Sequence, residues 1–479
     1  MIETLSAFWP HVVAGISFAM ALVASGHVVL YKRDSRGAVA WVGLIWLAPV
    51  VGSVLYVLLG INRIRRRAAA VRGAPPPVVE PGISSAALAA LLPPESRHLA
   101  ALERVVSAVD RRPLAGENRL AVLREGDAAY PAMIEAIDRA ERSVALTSYI
   151  FNVDAAGDRF RDALARAVAR GVAVRVLIDA VGARYSGASM PRALRRAGVP
   201  VERFMPNRVP VRIPYLNLRN HRKILVVDGR IGFTGGTNIR EECLSAGRPG
   251  PAVRDLHFRV EGPVVAHLRD VFAEDWLFAA DERLEGEAWF PPLAPAGLSA
   301  ARGIAGGPDE DFEKLRWILP AALGAARRSV RILTPYFLPD AGLVTALNLA
   351  AMRGVRVDVV LPERSNLALI QWASAALLWQ VLERGVRVHR TPPPFDHTKL
   401  MVVDRAWILL GSSNWDARSF RLNFEFDLEV YDPVLGAALD DLAAERIASG
   451  REMTKAEADG RPLPARLRDG AARLCQPYL

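Results

Sequence analysis

The chain opens with two long runs that carry no charge. No Asp, Glu, Lys or Arg occurs from Phe8 to Tyr31, and none occurs from Ala38 to Gly60. Each run reaches the roughly 20 apolar residues that cross a bilayer as a helix, so the pattern predicts two transmembrane helices, at about 8–31 and 38–60. A cleaved signal peptide would begin with basic residues, have a shorter apolar core and lack a second run. Pro49 should kink or loosen the second helix, a defect that membrane helices tolerate because neighbours satisfy the freed carbonyl.

Arg63, Arg65, Arg66, Arg67 and Arg72 close this first segment, residues 1–72. By the positive-inside rule they place the remainder of the chain in the cytoplasm. Lys32, Arg33 and Arg36 between the runs pull the other way, although a hairpin needs to translocate only that short turn. Pro75, Pro76, Pro77 and Pro81 then mark residues 73–112 as a stiff linker and lead-in.

Beyond the linker the pattern changes from continuous to periodic, and it occurs twice. Ala140-Glu-Arg-Ser-Val-Ala-Leu-Thr-Ser-Tyr149 is echoed by Ala326-Arg-Arg-Ser-Val-Arg-Ile-Leu-Thr-Pro-Tyr336. Each is followed by a helical stretch ending in Arg-Gly-Val, at Arg170-Gly171-Val172 and Arg353-Gly354-Val355, and then by alternation at Val172, Val174, Val176 and at Val355, Val357, Val359. Strand, Gly-capped helix and strand therefore recur. The class is α/β, with a largely parallel or mixed sheet flanked by helices in each of two duplicated domains, 113–300 and 301–479. A chain of 479 residues accommodates two such cores and an appendage.

Composition narrows the partners. A formal net charge of +10 favours anionic lipid headgroups or nucleic acid and cannot choose between them. Cys243 and Cys475 are far apart and belong to no close-set Cys/His cluster, so two unpaired thiols are expected, with neither a disulfide framework nor a zinc site.

The chemistry lies in a second repeated pattern. His221-Arg-Lys223-Ile-Leu-Val-Val-Asp228 and His397-Thr-Lys399-Leu-Met-Val-Val-Asp404 both read His-x-Lys-x4-Asp, and each is followed at the same spacing by Gly235-Gly236-Thr237-Asn238 or Gly411-Ser412-Ser413-Asn414. In an extended stretch His and Lys share one face, so an imidazole and an ammonium can meet one phosphate. Displacement at a phosphodiester needs a nucleophile, an acid for the leaving alkoxide, and donors on the non-bridging oxygens, and paired His, Lys and Asn supply all of these. Asp228 and Asp404 read more naturally as carboxylates that close a turn or pair with a basic residue.

These residues resemble the signature of the phospholipase D superfamily, matched at every position in both halves. The resemblance implies one active site built by both halves, with a catalytic set of His221, Lys223, Asp228, His397, Lys399 and Asp404. It also implies a phosphohistidine on one imidazole, taken as His221, while the other, taken as His397, acts as acid and base; the symmetry of the motifs allows the reverse. Lys223, Asn238, Lys399 and Asn414 would hold the phosphate, so no metal is expected. Asp255 and Glu425 stand where the family carries carboxylates that orient the imidazoles.

Within the superfamily, the paired apolar runs, the Pro-rich linker, Pro113-Leu-Ala-Gly116-Glu-Asn118, Thr334-Pro-Tyr-Phe-Leu-Pro339 and Asn423-Phe-Glu425 are similar to bacterial cardiolipin synthases. That likeness implies a phosphatidyltransferase of the bacterial inner membrane using phosphatidylglycerol, with no cofactor and no nucleic-acid partner. Exchange of one phosphodiester for another needs no nucleotide, and no Gly-x4-Gly-Lys-Ser/Thr loop is present. A hydrolytic phospholipase D, a membrane-tethered nuclease and a lipid-binding scaffold are the rival readings; the scaffold predicts a lost motif residue, and none is missing. The apolar stretch Leu367 to Leu382, with Trp372 and Trp379, fits a core helix or a surface that dips into a membrane.

Overall fold

The computed structural model describes residues 2–32, 35–60, 82–185, 188–205, 218–245, 252–308, 313–476 and 479. The basic flank Arg63 to Arg72 and Pro75 to Pro81 lie outside them. The described residues fall into two compact units, one up to residue 60 and one from residue 82 onward.

In the first unit, Ile2–Tyr31 is one helix, and its segment Trp9–Tyr31 is long and apolar enough to cross a bilayer. The second apolar run is not a single helix. Ala48 leaves the helical conformation ahead of Pro49, which has no N–H to continue the ladder, and the run divides into Ser35–Leu47, Pro49–Leu55 and a π turn at Tyr56–Gly60. The kink or loosening expected at Pro49 takes the form of a break at Ala48. Ala21, Ala24, Val28, Ile45 and Tyr56 pack the pieces together, and the Tyr56 hydroxyl lies 2.8 Å from His27 Nδ1.

The second unit is built on a 16-stranded mixed sheet. From one edge its order is Val201–Phe204, Ala173–Asp179, Ser143–Ser148, Ile224–Val227, Ile231–Gly235, Leu256–Glu261 and Ala115–Arg124. The same order then runs in reverse through the second copy, from Ser299–Gly306 out to Arg387–Thr391 and a last strand, Arg451–Met453. The copies meet where Ala115–Arg124 pairs antiparallel with Ser299–Gly306, Ala115 opposite Ala301. The boundary expected at 300/301 falls inside that second strand.

In each copy the predicted strand, helix and strand form a parallel pair, Ser143 opposite Ala173 and Ser329 opposite Arg356. Gly171 and Gly354 end the intervening helices at φ +86° and +88°, a left-handed conformation open to glycine at little cost. The lead-in from residue 82 joins the second copy. Leu88, Leu92, Leu99, Leu102 and Val106 pack against Ile318, Leu319 and Leu323 in the core of the second copy. In the Leu367 to Leu382 stretch, Ile370, Ala373, Leu377, Leu378 and Val381 are buried as core, while Leu367, Leu369 and Trp379 are exposed. Cys243 and Cys475 are free.

Candidate active site

Both His-x-Lys pairs sit in extended chain just ahead of a short strand, Ile224–Val227 or Leu400–Val403. The lead-in segments cross between the copies. Arg219–Asn220 pairs in parallel with Asn423–Phe424, and the His221 N–H donates to the Phe424 carbonyl at 2.8 Å. Reciprocally, Phe395–Asp396 pairs with Val253–Arg254, and the His397 N–H donates to the Arg254 carbonyl at 2.7 Å. Each histidine is thus held by backbone of the other half.

The side chains repeat the exchange. His221 Nδ1 lies 3.0 Å from Glu425 Oε2 and 3.1 Å from the Ser412 carbonyl, both in the second half. His397 Nδ1 lies 2.8 Å from Asp255 Oδ2 in the first half. A carboxylate on Nδ1 keeps the proton there and leaves Nε2 free to react. Lys223 Nζ donates to the His221 carbonyl at 2.7 Å, and Lys399 Nζ to the His397 carbonyl while also lying 2.8 Å from His397 Nδ1. A positive charge therefore stands beside each imidazole. The Tyr149 ring packs 4.9 Å from that of His221, and Tyr336 and Phe395 pack 6.3 Å and 6.0 Å from that of His397.

The two carboxylates differ in their support. Glu425 accepts from the Ser412 hydroxyl at 2.6 Å and from Asn423 Nδ2 at 3.0 Å, and despite complete burial His221 above all, with Lys223 and the Ser412 hydroxyl, holds its pKa below the usual range. Asp255 has the Leu256 N–H at 2.8 Å, and burial outweighs its basic neighbours to push it up to about 6. At the position equivalent to Ser412 stands Gly236, where a Cβ would meet Asp255 Oδ1 at 2.2 Å, so no side chain fits there to support that carboxylate.

Burial lowers both imidazoles, and for His397 Lys399 and Lys223 add to the effect. Burial likewise brings Lys223 down to about 7 and Lys399 to about 8, each lowered less than it would be without Glu425 and Asp255 nearby. The site is thus a buried cluster of two imidazoles and two lysines whose charge is balanced by two carboxylates, with donors ready for an anion. An arriving phosphodiester would raise the proton affinity of every member.

The remaining predicted residues divide. Asn238, three residues past the strand Ile231–Gly235, is held beside Tyr149, its Oδ1 accepting from the Ile150 N–H at 3.3 Å. Asn414 borders a small cavity shared with Lys399, Ser413 and Asp427, and its buried Oδ1 has no hydrogen-bond partner among the described residues. Asp228 and Asp404 do not join the reacting groups, which corrects their place in the catalytic set. They follow the far ends of the strands that His221 and His397 precede. There Asp228 accepts from the N–H groups of Glu141, Arg142 and Ser143, and Asp404 from those of Arg327, Arg328 and Ser329 as well as pairing with His98 Nε2 at 2.7 Å.

Ser412, Tyr149, Tyr336 and the buried Arg222 were not anticipated as part of the site. The tyrosines close the two echoed segments but stand one position apart in register, since Phe151 and Phe337 are the equivalent residues, so the repeat did not pair them. Ser412 and Arg222 interrupt the repeat, so symmetry could not point to them.

Residues 133–276 and 319–446 match the family described as cardiolipin synthase, PLD-like domain, and residues 19–60 match phospholipase D-nuclease N-terminal. Cardiolipin synthase A of Pseudomonas fluorescens is 33% identical over 493 residues, covering 98% of this chain and 99% of the relative. A cardiolipin synthase of Geobacillus kaustophilus is 32% identical, covering 94% and 91%. Among solved structures, phosphatidylserine synthase of Haemophilus influenzae shares the fold, with a TM-score of 0.61 at 15% identity over 79% of this chain and all of that one.

Proposed function

This chain belongs to the cardiolipin synthase family of phospholipase D-like proteins, and from that premise we infer that it makes cardiolipin by moving the phosphatidyl group of one phosphatidylglycerol onto a second. The observation that carries the reading is the exchange at the site, in which each imidazole is oriented by a carboxylate from the other half. Residues 113–300 and 301–479 act as the halves of one enzyme. His221 Nε2 attacks phosphorus, the bond to glycerol breaks, and the departing alkoxide takes the proton of His397. His397 then removes the proton of the incoming terminal hydroxyl, whose oxygen attacks phosphorus as the P–N bond breaks. Lys223, Lys399, Asn238 and Asn414 hold the non-bridging oxygens through both steps.

The unequal carboxylates support this division of labour. A phosphorylated imidazole carries positive charge for the lifetime of the intermediate, which suits His221 beside the firmly ionised Glu425. A group that takes and returns a proton suits His397 beside Asp255, whose own charge changes near neutrality. The N-terminal unit places the enzyme at its substrate. We read it as a hairpin in the bacterial inner membrane, with both chain ends and the catalytic halves on the cytoplasmic side.

The test uses detergent-solubilised full chain and labelled phosphatidylglycerol, with EDTA and no nucleotide. Diphosphatidylglycerol and free glycerol should appear, and both should vanish in His221→Ala and in His397→Ala. Phosphatidic acid as the only product would replace transfer by hydrolysis. Label retained on the protein in His397→Asn but not in His221→Asn would fit the assigned roles, and the opposite result would reverse them.

A further inference from the structure

The helix Leu463–Arg473 is amphipathic with its polarity reversed. The face turned toward the protein holds Asp469, paired with Arg461 and Arg468, and Ala472. The face turned to solvent holds Leu463, Leu467 and, just past the end, Leu474, which recur at the spacing of one helix face and are exposed at 66%, 65% and 77%. Arg466 and Arg473 flank this stripe on one side and Arg468 on the other, and the only acidic side chain of the helix is buried. A soluble surface gains nothing from leucines so placed. An apolar ridge between rows of arginine matches a bilayer interface, where leucine enters the acyl boundary and guanidinium groups meet anionic headgroups.

The position of the helix gives the ridge a use. It packs on the helix Ala368–Ala375, with the Arg468 guanidinium 4.7 Å from the Trp372 ring, and Ala472 joins the cluster that contains Tyr336 and Phe395. Those two rings lie against His397. Gln476 Nε2 donates to the carbonyls of Leu338 and Pro339, tying the end of the helix to the segment that carries Tyr336. The helix that bears the ridge and the cluster around Tyr336 and Phe395 connect it to the catalytic imidazole. Leu367 and Leu369, at the start of the neighbouring helix, are also exposed.

We propose that Leu463, Leu467 and Leu474 with their flanking arginines form a docking ridge for an anionic phospholipid surface, distinct in sequence from the N-terminal anchor and carried by a helix that packs on the His397 side of the active site. It gives the catalytic unit its own grip on the bilayer from which the lipid must be drawn. The proposal rests on the phosphatidyl-transfer reading only for the substrate it delivers.

Cys475, next to Leu474, is exposed while Cys243 is buried, so a polarity-sensitive thiol fluorophore can report from the ridge of the full chain. In vesicles of phosphatidylcholine and phosphatidylglycerol, lipids with a quencher on the acyl chain should dim the label and aqueous iodide should not. A label quenched by iodide and untouched by the lipid quencher overturns the proposal. A label shielded from both also overturns it, because a protein surface, such as a second copy of this chain, then covers the ridge. The variant with Leu463→Ser, Leu467→Ser and Leu474→Ser should lose lipid quenching and turn over vesicle phosphatidylglycerol roughly tenfold more slowly, while keeping its rate on short-chain phosphatidylglycerol in detergent. Equal loss on both substrates counts against docking. Because quenching is read without turnover, a failed transfer reaction with a quenched label would sink the function and leave the ridge standing.

Discussion

At the scale of single residues, the site is governed by the cost of burying charge. Lys223 and Lys399 fall from 10.5 to about 7 and about 8, so both approach neutrality in the empty enzyme near physiological pH. Asp255 is raised to about 6 and loses its charge as pH falls through that value, releasing the Nδ1 proton of His397. The lysines lose theirs as pH rises, and with them the hold on phosphate. The value of kcat/KM should therefore peak between these limits, falling on the acid side near pH 6 and on the alkaline side from pH 7 to 8. Rates on phosphatidylglycerol from about pH 5 to about pH 9 check this, and a flat profile would remove Asp255 and the lysines from control of the reaction. The residue types were legible in the sequence because transfer at phosphorus needs them in pairs. Their perturbed charges were not, since they depend on burial that no spacing encodes.

At the scale of elements, the last residue of His-x-Lys-x4-Asp serves the fold. Asp404 gathers the N–H groups that open the strand Ser329–Leu333 and links them to His98 in the lead-in. The backbone donors hold its pKa below 3.8 against burial, so its contribution is present above the carboxylate range and is lost as pH falls through it. Asp404→Asn should lower stability by roughly 2–4 kcal/mol, read as a drop in melting temperature, while the folded fraction keeps turnover within about tenfold. An unchanged melting temperature with abolished turnover would return Asp404 to the reacting groups. The repeated strand, helix and strand were readable from period and capping glycine alone. That the lead-in packs into the core of the second copy was not legible, because its leucines join a cluster with residues more than 200 positions away, Leu99 and Leu319 among them. In the second apolar run the interruption was legible at Pro49, but that it divides the run into two helices was not, because hydropathy measures length alone.

At the scale of the molecule, duplication was plain from the motifs and the resemblance implied one site built by both halves, but which carboxylate orients which imidazole was not legible, because spacing along the chain does not say which half supplies the partner. What ties the halves together is also where they differ. Arg222, between His221 and Lys223, is fully buried. Its Nη1 meets Asp275 Oδ1 at 2.6 Å in the first half, while Nε donates to the Glu425 carbonyl at 2.9 Å and Nη2 to the Gly306 carbonyl at 3.1 Å in the second. The equivalent residue, Thr398, buries a hydroxyl with no partner among the described residues. Arg222→Ala leaves Asp275 as a buried charge supported by Asn220 Nδ2 and frees the strand that aims Glu425 at His221. It should cost about 3–5 kcal/mol and lower turnover in the fraction that still folds. Arg222→Lys should rescue little, since an ammonium cannot span the three acceptors that the planar fork reaches. Thr398→Ala, at the same point of the other copy, should change stability by less than about 1 kcal/mol. Melting curves of the solubilised full chain compare the three directly. Equal losses at Arg222 and Thr398 would mean that the halves are joined by symmetric contacts and that Arg222 has no special part, whereas a large loss at Arg222 alone would place the clamp between the halves inside one copy of the catalytic motif.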